Sequence, residues 1–324
     1  MEKIKTKYDI EIGSDVSKKT IDVSSQEGKT SSYPNTIRGI STMLKKHGSS
    51  KLTVRVTCES TGTYSELLIK QCLLKEIPVS QINPLWIKSY INSFGSSAKT
   101  DPIDANYIRQ YAADRNPVTL DFTWLKQNVL KQYKRKLSAI IKERAILKIS
   151  LDKYDEPFIL KDIKKQITNL SKRVDKFEDK IETLIAFDPD LSAKKEFLER
   201  TVGVGPRTSQ ALIIHLPELG EVSRRKIAAL AGVAPYVNDS GTKKGKRSIR
   251  AGRGEVRSAL YMAAISAIKY NPHLKAFYTQ LKERGKASRL AIIAVCRKLL
   301  IFLNSELKNS FSDGKIKSSS IPQE

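Results

Sequence analysis

Cysteine is scarce in this chain. Among 324 residues there are three, Cys58, Cys72 and Cys296, odd in number and scattered, which excludes a disulfide framework and the close Cys/His spacing of a zinc site. The three histidines, His47, His215 and His273, stand far apart, and nothing local marks any of them as part of a catalytic triad. No apolar run approaches the roughly 18 residues that a membrane-spanning helix needs. The start, with Lys3, Lys5 and Lys7, has no apolar signal core, so a cytoplasmic protein is expected. Negative charge is also in short supply. Thirty-four acidic residues stand against 58 basic ones, a net charge of +24. A chain this basic usually meets a polyanion, with nucleic acid the leading partner and a membrane surface second. The hydrophobic fraction of 40% is enough for real cores, and the length suggests about two domains at roughly 150 residues each.

The first 118 residues read as an α/β unit. Tyr8 to Gly13 alternates like a strand, Thr20 to Ser25 makes a second after a tight turn, and Lys29 to Tyr33 a weaker third. A helix over 36–47 is closed by Gly48. Leu52 to Cys58 is a clear strand with Glu59 at its end, followed by a helix to about Leu74 and a fifth strand over 78–82. Asn83 and Pro84 look like the cap and first turn of a helix that Gly95 ends. In Lys99-Thr100-Asp101-Pro102-Ile103-Asp104-Ala105, Pro102 suits the first helical position. Asp101 is then the N-cap, and Asp104 lies one turn further in on the same face. Ligands in open α/β sheets gather at the carboxyl ends of strands. Asp15, Glu59, Asp101 and Asp104 can therefore meet at one sheet edge. So many carboxylates repel unless a divalent cation neutralises them. Mg²⁺ or Mn²⁺, as a pair of ions roughly 4 Å apart, is the expected cofactor for attack on a phosphodiester. Taken singly, Asp15 is equally a turn acid, Glu59 a strand-end acid, and the Asp101–Asp104 pair a helix cap with a solvated neighbour. Trp86, Tyr90 and Phe94 form a stripe at i, i+4, i+8, expected to be a core face rather than a base-stacking surface.

Residues 119–195 form a helical spacer. Ile163, Ile167, Leu170, Val174, Phe177, Ile181 and Leu184 alternate steps of four and three, as in a heptad seam. Leu130, Tyr133, Leu137, Ile140, Leu147, Leu151 and Tyr154 keep the same rhythm with Arg144 as the polar exception. An antiparallel coiled-coil hairpin bending near Pro157 is expected, its seam closed internally or by another copy of the chain.

A mostly helical unit follows over 196–309. Thr201 to Thr208 holds a Gly-Val-Gly turn before an apolar helix. It resembles a helix–hairpin–helix phosphate contact, and a plain glycine turn fits equally well. Further on, Ser240-Gly241 precedes Lys243, Lys244, Lys246, Arg247, Arg250, Arg253 and Arg257, opposed only by Glu255. So dense a basic loop suits phosphates, and its glycines let the backbone approach closely. A lone serine beside glycine is ordinarily a turn residue, and no base that would activate Ser240 is evident. Ala287 to Leu307 is strongly apolar, an expected core helix, and the Ser- and Lys-rich tail over 310–324 is expected to be disordered.

Four segments, in order, resemble the DEDD transposases of insertion sequences. They are Gly13-Ser14-Asp15-Val16-Ser17-Lys18, Glu59-Ser60-Thr61-Gly62-Thr63-Tyr64, Ile82-Asn83-Pro84 and Lys99 to Ala105. Ala231-Gly232-Val233-Ala234-Pro235, Ser240-Gly241, the basic loop and Leu260-Tyr261-Met262-Ala263-Ala264 resemble the C-terminal domain of that family. The likeness covers about residues 8–305. Ser14 departs from it, standing where an apolar residue is usual, and so does Pro102, where a basic one is common. The resemblance implies a RuvC-like (RNase H-type) N-terminal domain whose four carboxylates bind metal, and a serine nucleophile, here Ser240, that becomes joined to DNA. It also implies a multimeric recombinase, in many members guided by a bridge RNA; Piv-type invertases belong to the same family.

Taken with that resemblance, the sequence predicts an α/β plus α protein that transposes or recombines DNA, acting as a homo-oligomer on donor and target DNA; a guide RNA is implied by the resemblance alone. Its expected site is Asp15, Glu59, Asp101, Asp104 and Ser240, with the seven basic residues from Lys243 to Arg257 on nucleic acid. A metal-dependent junction nuclease using water, and a non-catalytic nucleic-acid-binding protein, are the alternatives.

Overall fold

The computed structural model describes residues 8–26, 29–47, 52–94, 101–236, 245 and 248–312, with 26, 101–103, 311 and 312 described in backbone alone. The chain divides into two units, Met1–Gln127 and Asn128–Glu324. The division falls inside a long helix rather than at a loop.

The first unit is built on a mixed five-stranded sheet. Strands β1 (Ile10–Val16), β2 (Thr20–Gln26) and β3 (Lys29–Pro34) form an antiparallel meander. After helix α1 (Ile37–His47) come β4 (Val54–Glu59), α2 (Glu66–Leu74) and β5 (Val79–Ile82). The sheet order is β3-β2-β1-β4-β5, with β1, β4 and β5 parallel. Helices α3 (Pro84–Ser93) and α4 (Asp101–Arg115) complete the unit. Asn83 caps α3 as its sequence implies, its side chain accepting from the Leu85 amide at 2.9 Å.

Strand alternation splits this sheet into two unlike faces. One is apolar: Ile12, Val16, Ile21, Val23, Val56 and Cys58 pack with Met43 and Leu44 of α1 and Leu68, Ile69 and Cys72 of α2. Burial holds the Cys58 thiol far above its ordinary range and pushes Cys72 up to about 12, so both behave as apolar groups. The other face carries Glu11, Gly13 and Asp15 of β1, Ser24 of β2 and Arg55, Thr57 and Glu59 of β4. Helix α4 lies on this face. A Cβ on Gly13 would stand 2.1 Å from the Ala105 carbonyl oxygen and 2.4 Å from the Arg109 nitrogen. Only glycine lets the helix backbone settle on the strand.

The second unit is helical. Helix α5 (Thr123–Ser150) leads through a 3-10 turn (Leu151–Lys153) to α6 (Pro157–Ala186). The two run antiparallel: Tyr133 meets Phe177 with ring centroids 5.9 Å apart, and Arg144 donates to Ser171 at 3.2 Å. Arg144, the polar residue in the apolar seam, therefore has its own acceptor. Pro157 is the first residue of α6, capped by Glu156. Then follow α7 (Pro189–Glu199), α8 (Pro206–His215), α9 (Arg224–Leu230), the paired β6 (Pro235–Tyr236) and β7 (Ser248–Ile249), α10 (Gly254–Tyr270), α11 (Pro272–Glu283) and α12 (Ser288–Ser312). The core is α8, α10 and α12, with Leu212, Ile214, Leu260, Ala264, Val295, Leu299 and Leu303 buried together. No helix of the described residues is long and apolar enough to cross a membrane.

Candidate functional site

The polar face of the sheet explains how the acids are placed. At its lower end Arg55, 1% exposed, uses all five guanidinium N–H groups. Nε and Nη2 donate to the two Glu11 carboxylate oxygens at 3.0 and 2.7 Å, Nη2 also to the Ala112 carbonyl at 2.8 Å, and Nη1 to Asn116 Oδ1 and the Pro117 carbonyl at 2.7 and 2.9 Å. Three of those acceptors belong to the C-terminal end of α4 and the residues after it. Arg55 therefore fixes that end of the helix over the amino ends of β1 and β4. Burial lifts the Glu11 carboxyl above its ordinary range, although Arg55 and Arg109 pull the other way.

The opposite end of α4 consequently lies over the carboxyl ends of the strands, with Asn106 near Ser24 at 3.5 Å. Ser14 pairs in register with Cys58, so the next residues, Asp15 and Glu59, stand side by side on neighbouring parallel strands. Asp15 is not beyond its strand, as the alternation suggests, but is the penultimate residue of β1, and Glu59 is the last residue of β4. Pairing of Val16 with Ile21 extends β1 past Asp15. Helix α4 begins at Asp101, which is its first helical residue rather than the N-cap that Pro102 suggests, and Asp104 comes immediately before the Ala105 carbonyl that touches Gly13. Asp15, Glu59 and Asp104 are all half-buried. The side chain of Asp101 lies outside the described residues.

Three features bear on whether this edge suits a hard divalent cation. The donors are all oxygen, as Mg²⁺ prefers. The Thr57 hydroxyl, on the site face, and the Thr61 hydroxyl, both flanking Glu59, are buried without a hydrogen-bond partner. Such orphaned oxygens are uncommon unless a ligand completes them. Among the described residues, however, no three acidic, His or Cys side chains already converge at metal-binding distance. The chemistry of these donors, all oxygen, fits a hard divalent cation.

Sequence reasoning missed the Glu11–Arg55 pair. Its signal was a charge of each sign at an inward position of two otherwise apolar strands. The aromatic stripe on α3 is a correction. Trp86 and Phe94 are 57% and 56% exposed, and Ile87 faces the core instead. Tyr90 is half-buried, stacking edge-on with Tyr111 and donating to Asp114, and Phe94, though exposed, lies against Tyr107 at 5.8 Å.

In the second unit the strands β6 and β7 pair Pro235 with Ile249 and Tyr236 with Ser248. They bring together the two ends of the segment that carries Ser240. Ser240, Lys243, Lys244, Lys246 and Arg247 themselves lie outside the described residues. Of the remaining cations, Arg250 covers the Tyr236 ring at 5.0 Å. Arg253 makes a two-pronged pair with Glu218 at 2.5 Å and donates to the His215 carbonyl at 3.0 Å. Burial would raise the Glu218 carboxyl, but Arg253 holds it below its ordinary range. Burial also lowers His215, to about 4. Arg257 donates to the Ala251 carbonyl at 2.8 Å. Arg253 and Arg257 therefore secure the base of the loop. Gly232 and Gly252, both with positive φ, lie so close that a Cβ on Gly252 would stand 2.3 Å from Gly232; the close approach their type permits is to each other. Likewise a Cβ on Gly203 would meet Ala267 at 2.7 Å, and the start of α8 faces Glu178, Asp179 and Glu182, with Arg207 pairing to Glu178 at 2.9 Å. That turn is built for packing, and its acidic surroundings disfavour a phosphate.

A sheet edge lined with carboxylates, followed by a basic helical unit, defines a protein that processes nucleic acid. Comparison with known proteins makes this specific. Residues 12–154 match the IS110-type DEDD transposase model, and residues 195–279 match the model of the transposase IS116/IS110/IS902 family. The chain belongs to this DEDD-type insertion-sequence transposase family, and its activity is that of a DNA transposase or recombinase. It is 28% identical to the pilin gene-inverting protein of Moraxella bovis over 310 residues, 89% of this chain and 92% of that one. The Moraxella lacunata protein of the same name matches equally. An uncharacterized IS110 insertion-element protein of Streptomyces coelicolor is 26% identical over 109 residues, 33% of this chain and 27% of that one.

Proposed function

We propose that this chain cuts and rejoins DNA at a RuvC-like carboxylate site through a covalent serine–DNA intermediate, moving or inverting a segment. The observation that carries the reading is the register of β1 on β4, which sets Asp15 beside Glu59 under the end of α4 that starts with Asp101 and Asp104. Asp15, Glu59, Asp101 and Asp104 would hold Mg²⁺ or Mn²⁺. When bound, the ions would neutralise the scissile phosphate and the oxygens entering and leaving it. The Ser240 oxygen would form the new bond to phosphorus as its proton departs, and the bond to the leaving strand oxygen would break. The phosphodiester so stored on serine allows rejoining without a high-energy cofactor. Lys243, Lys244, Lys246, Arg247 and Arg250 would steady the charge on phosphorus and grip the backbone. The family likeness adds a bridge RNA as guide and a homo-oligomer as the working form. Exposed Ile146, Ile149 and Phe158 near the turn of the α5–α6 coiled-coil hairpin support the latter.

Ser240→Ala should abolish covalent DNA adducts, seen as loss of the shifted protein band in a denaturing gel, while DNA binding stays within about twofold because the cations remain. Adducts that persist would overturn the serine assignment. Asp104→Asn should reduce cleavage by at least about a hundredfold with the melting temperature unchanged.

A further inference from the structure

We infer that Trp86, with Leu85 beside it, is a stacking platform for an unpaired base of the DNA strand at the cutting edge. The inference rests on reading that edge as the DNA-cutting site. Leu85 and Trp86 are 60% and 57% exposed, while their neighbour Ile87 is 2% exposed. Helix α3 follows β5 directly, and the Ser60 amide donates to the Ile82 carbonyl at 2.9 Å. The start of α3 is thus level with Glu59. The Asn83 cap holds its first turn, and the Trp86 amide donates to the Asn83 carbonyl at 2.9 Å. Trp86 therefore stands on a rigid turn at the same edge as Asp15, Glu59 and Asp104.

The surroundings select the partner. Lys18 and Lys19 are exposed on the β1–β2 turn at this edge, and Lys88 is exposed on α3. Tyr64, 44% exposed, stands on the loop after Glu59, which Asn35 ties back to the β1–β2 turn through the Tyr64 and Ser17 carbonyls at 3.1 and 2.9 Å. Exposed aromatic rings on a sheet edge that also carries lysines suit a base with its phosphates better than the apolar face of a protein. Carboxylates at the edge must also reach a phosphate whose flanking bases are stacked in the duplex, and an adjacent aromatic face lowers the cost of opening that stack.

Trp86 and Trp124 are the two tryptophans of the chain, so Trp124→Phe leaves Trp86 as the sole reporter. In full-length protein carrying Asp104→Asn to prevent cleavage, oligothymidine should quench Trp86 emission by at least about half. In the same background Trp86→Ala should weaken oligothymidine binding about tenfold by anisotropy of a labelled strand, and Trp86→Phe should keep it within about threefold. Oligothymidine that binds without quenching Trp86 would overturn the inference and leave the DNA-cutting reading intact. So would quenching by RNA alone, or quenching that rises with protein concentration in the absence of DNA, which would place a second copy on this patch. Failure of duplex and single strand alike to bind would instead sink the DNA-cutting reading and this inference with it.

Discussion

The carboxylate edge and the base of the segment that carries Ser240 are held by different means. Asp15, Glu59 and Asp104 sit within strands and a helix, placed by strand register and by a helix that glycine admits and arginine anchors. Ser240 belongs to a segment joined to the fold at its base, through β6 pairing with β7, Arg253 with Glu218, and Gly232 against Gly252. Metal ligands need fixed spacing because a hard cation tolerates little distortion. The proposed role of Ser240 as nucleophile would depend on how firmly that base is rooted. The two regions therefore answer differently to mutation. Damage to the first should appear in the geometry of the acids, and damage to the second in the stability of the loop base.

The largest effect is expected from Arg55→Met. Removing the cation leaves Glu11 buried and unpaired and releases the Ala112, Asn116 and Pro117 acceptors, which should cost about 3–5 kcal/mol. Arg55→Lys keeps a charge but lacks the planar five-donor fork and should recover only part of that. Denaturant titration measures both. If the comparison holds, Arg55→Lys should also raise the Mg²⁺ concentration needed for half-maximal cleavage, because α4 carries two of the proposed ligands. An unchanged metal dependence would mean that α4 keeps its place without the clamp.

Next in size is Glu218→Gln, which should destabilise the second unit by about 2 kcal/mol, the scale of charged hydrogen bonds in a half-buried site. Its pH dependence follows from the lowered folded-state value. The contribution is fully present above the ordinary carboxyl value of 4.5 and is lost as pH falls through the lower folded value. The stability gap between wild type and Glu218→Gln should thus be flat at neutral pH and close below 4.5. Hydrogen exchange should show the loss at Tyr236 and Ser248, whose pairing roots the loop, and not at Asp15 or Glu59.

The sequence made the elements legible wherever one pattern decided the outcome. Alternation marked β1, short strand-like runs marked the other four strands, Asn83-Pro84 marked the start of α3, and Pro102 marked the start of α4 to within one residue. The placing of Asp15 beside Glu59 was legible in the strand order, since carboxyl ends of parallel strands share an edge. What stayed hidden depends on neighbours. An i, i+4 stripe says that Trp86, Tyr90 and Phe94 share a side of α3, but not which side α4 covers, and α4 packs against Ile87 and Tyr90. Among the loop arginines, composition cannot separate Arg253, held by Glu218 from 35 residues away, from those left for phosphate. Likewise glycines at 203, 232 and 252 signal close approach without saying to what.

The smallest prediction concerns the other face of the same strand. Ser14 is fully buried among Ile12, Val16 and Cys58, and its hydroxyl has no partner. On the apolar face of the sheet its burial carries the cost of an unsatisfied donor with no chemistry in return. Thr57, an equally buried and unpartnered hydroxyl, lies one strand away on the face of the acids. The same defect should therefore differ in its consequences for cleavage on the two faces. Ser14→Ala should stabilise the protein by about 1 kcal/mol and leave cleavage unchanged. Thr57→Val, which keeps shape and removes the hydroxyl, should leave stability nearly unchanged or slightly raised and shift the Mg²⁺ dependence of cleavage. Equal responses at the two positions would show that the orphaned hydroxyl beside Glu59 is a packing fault like that of Ser14, rather than part of the site.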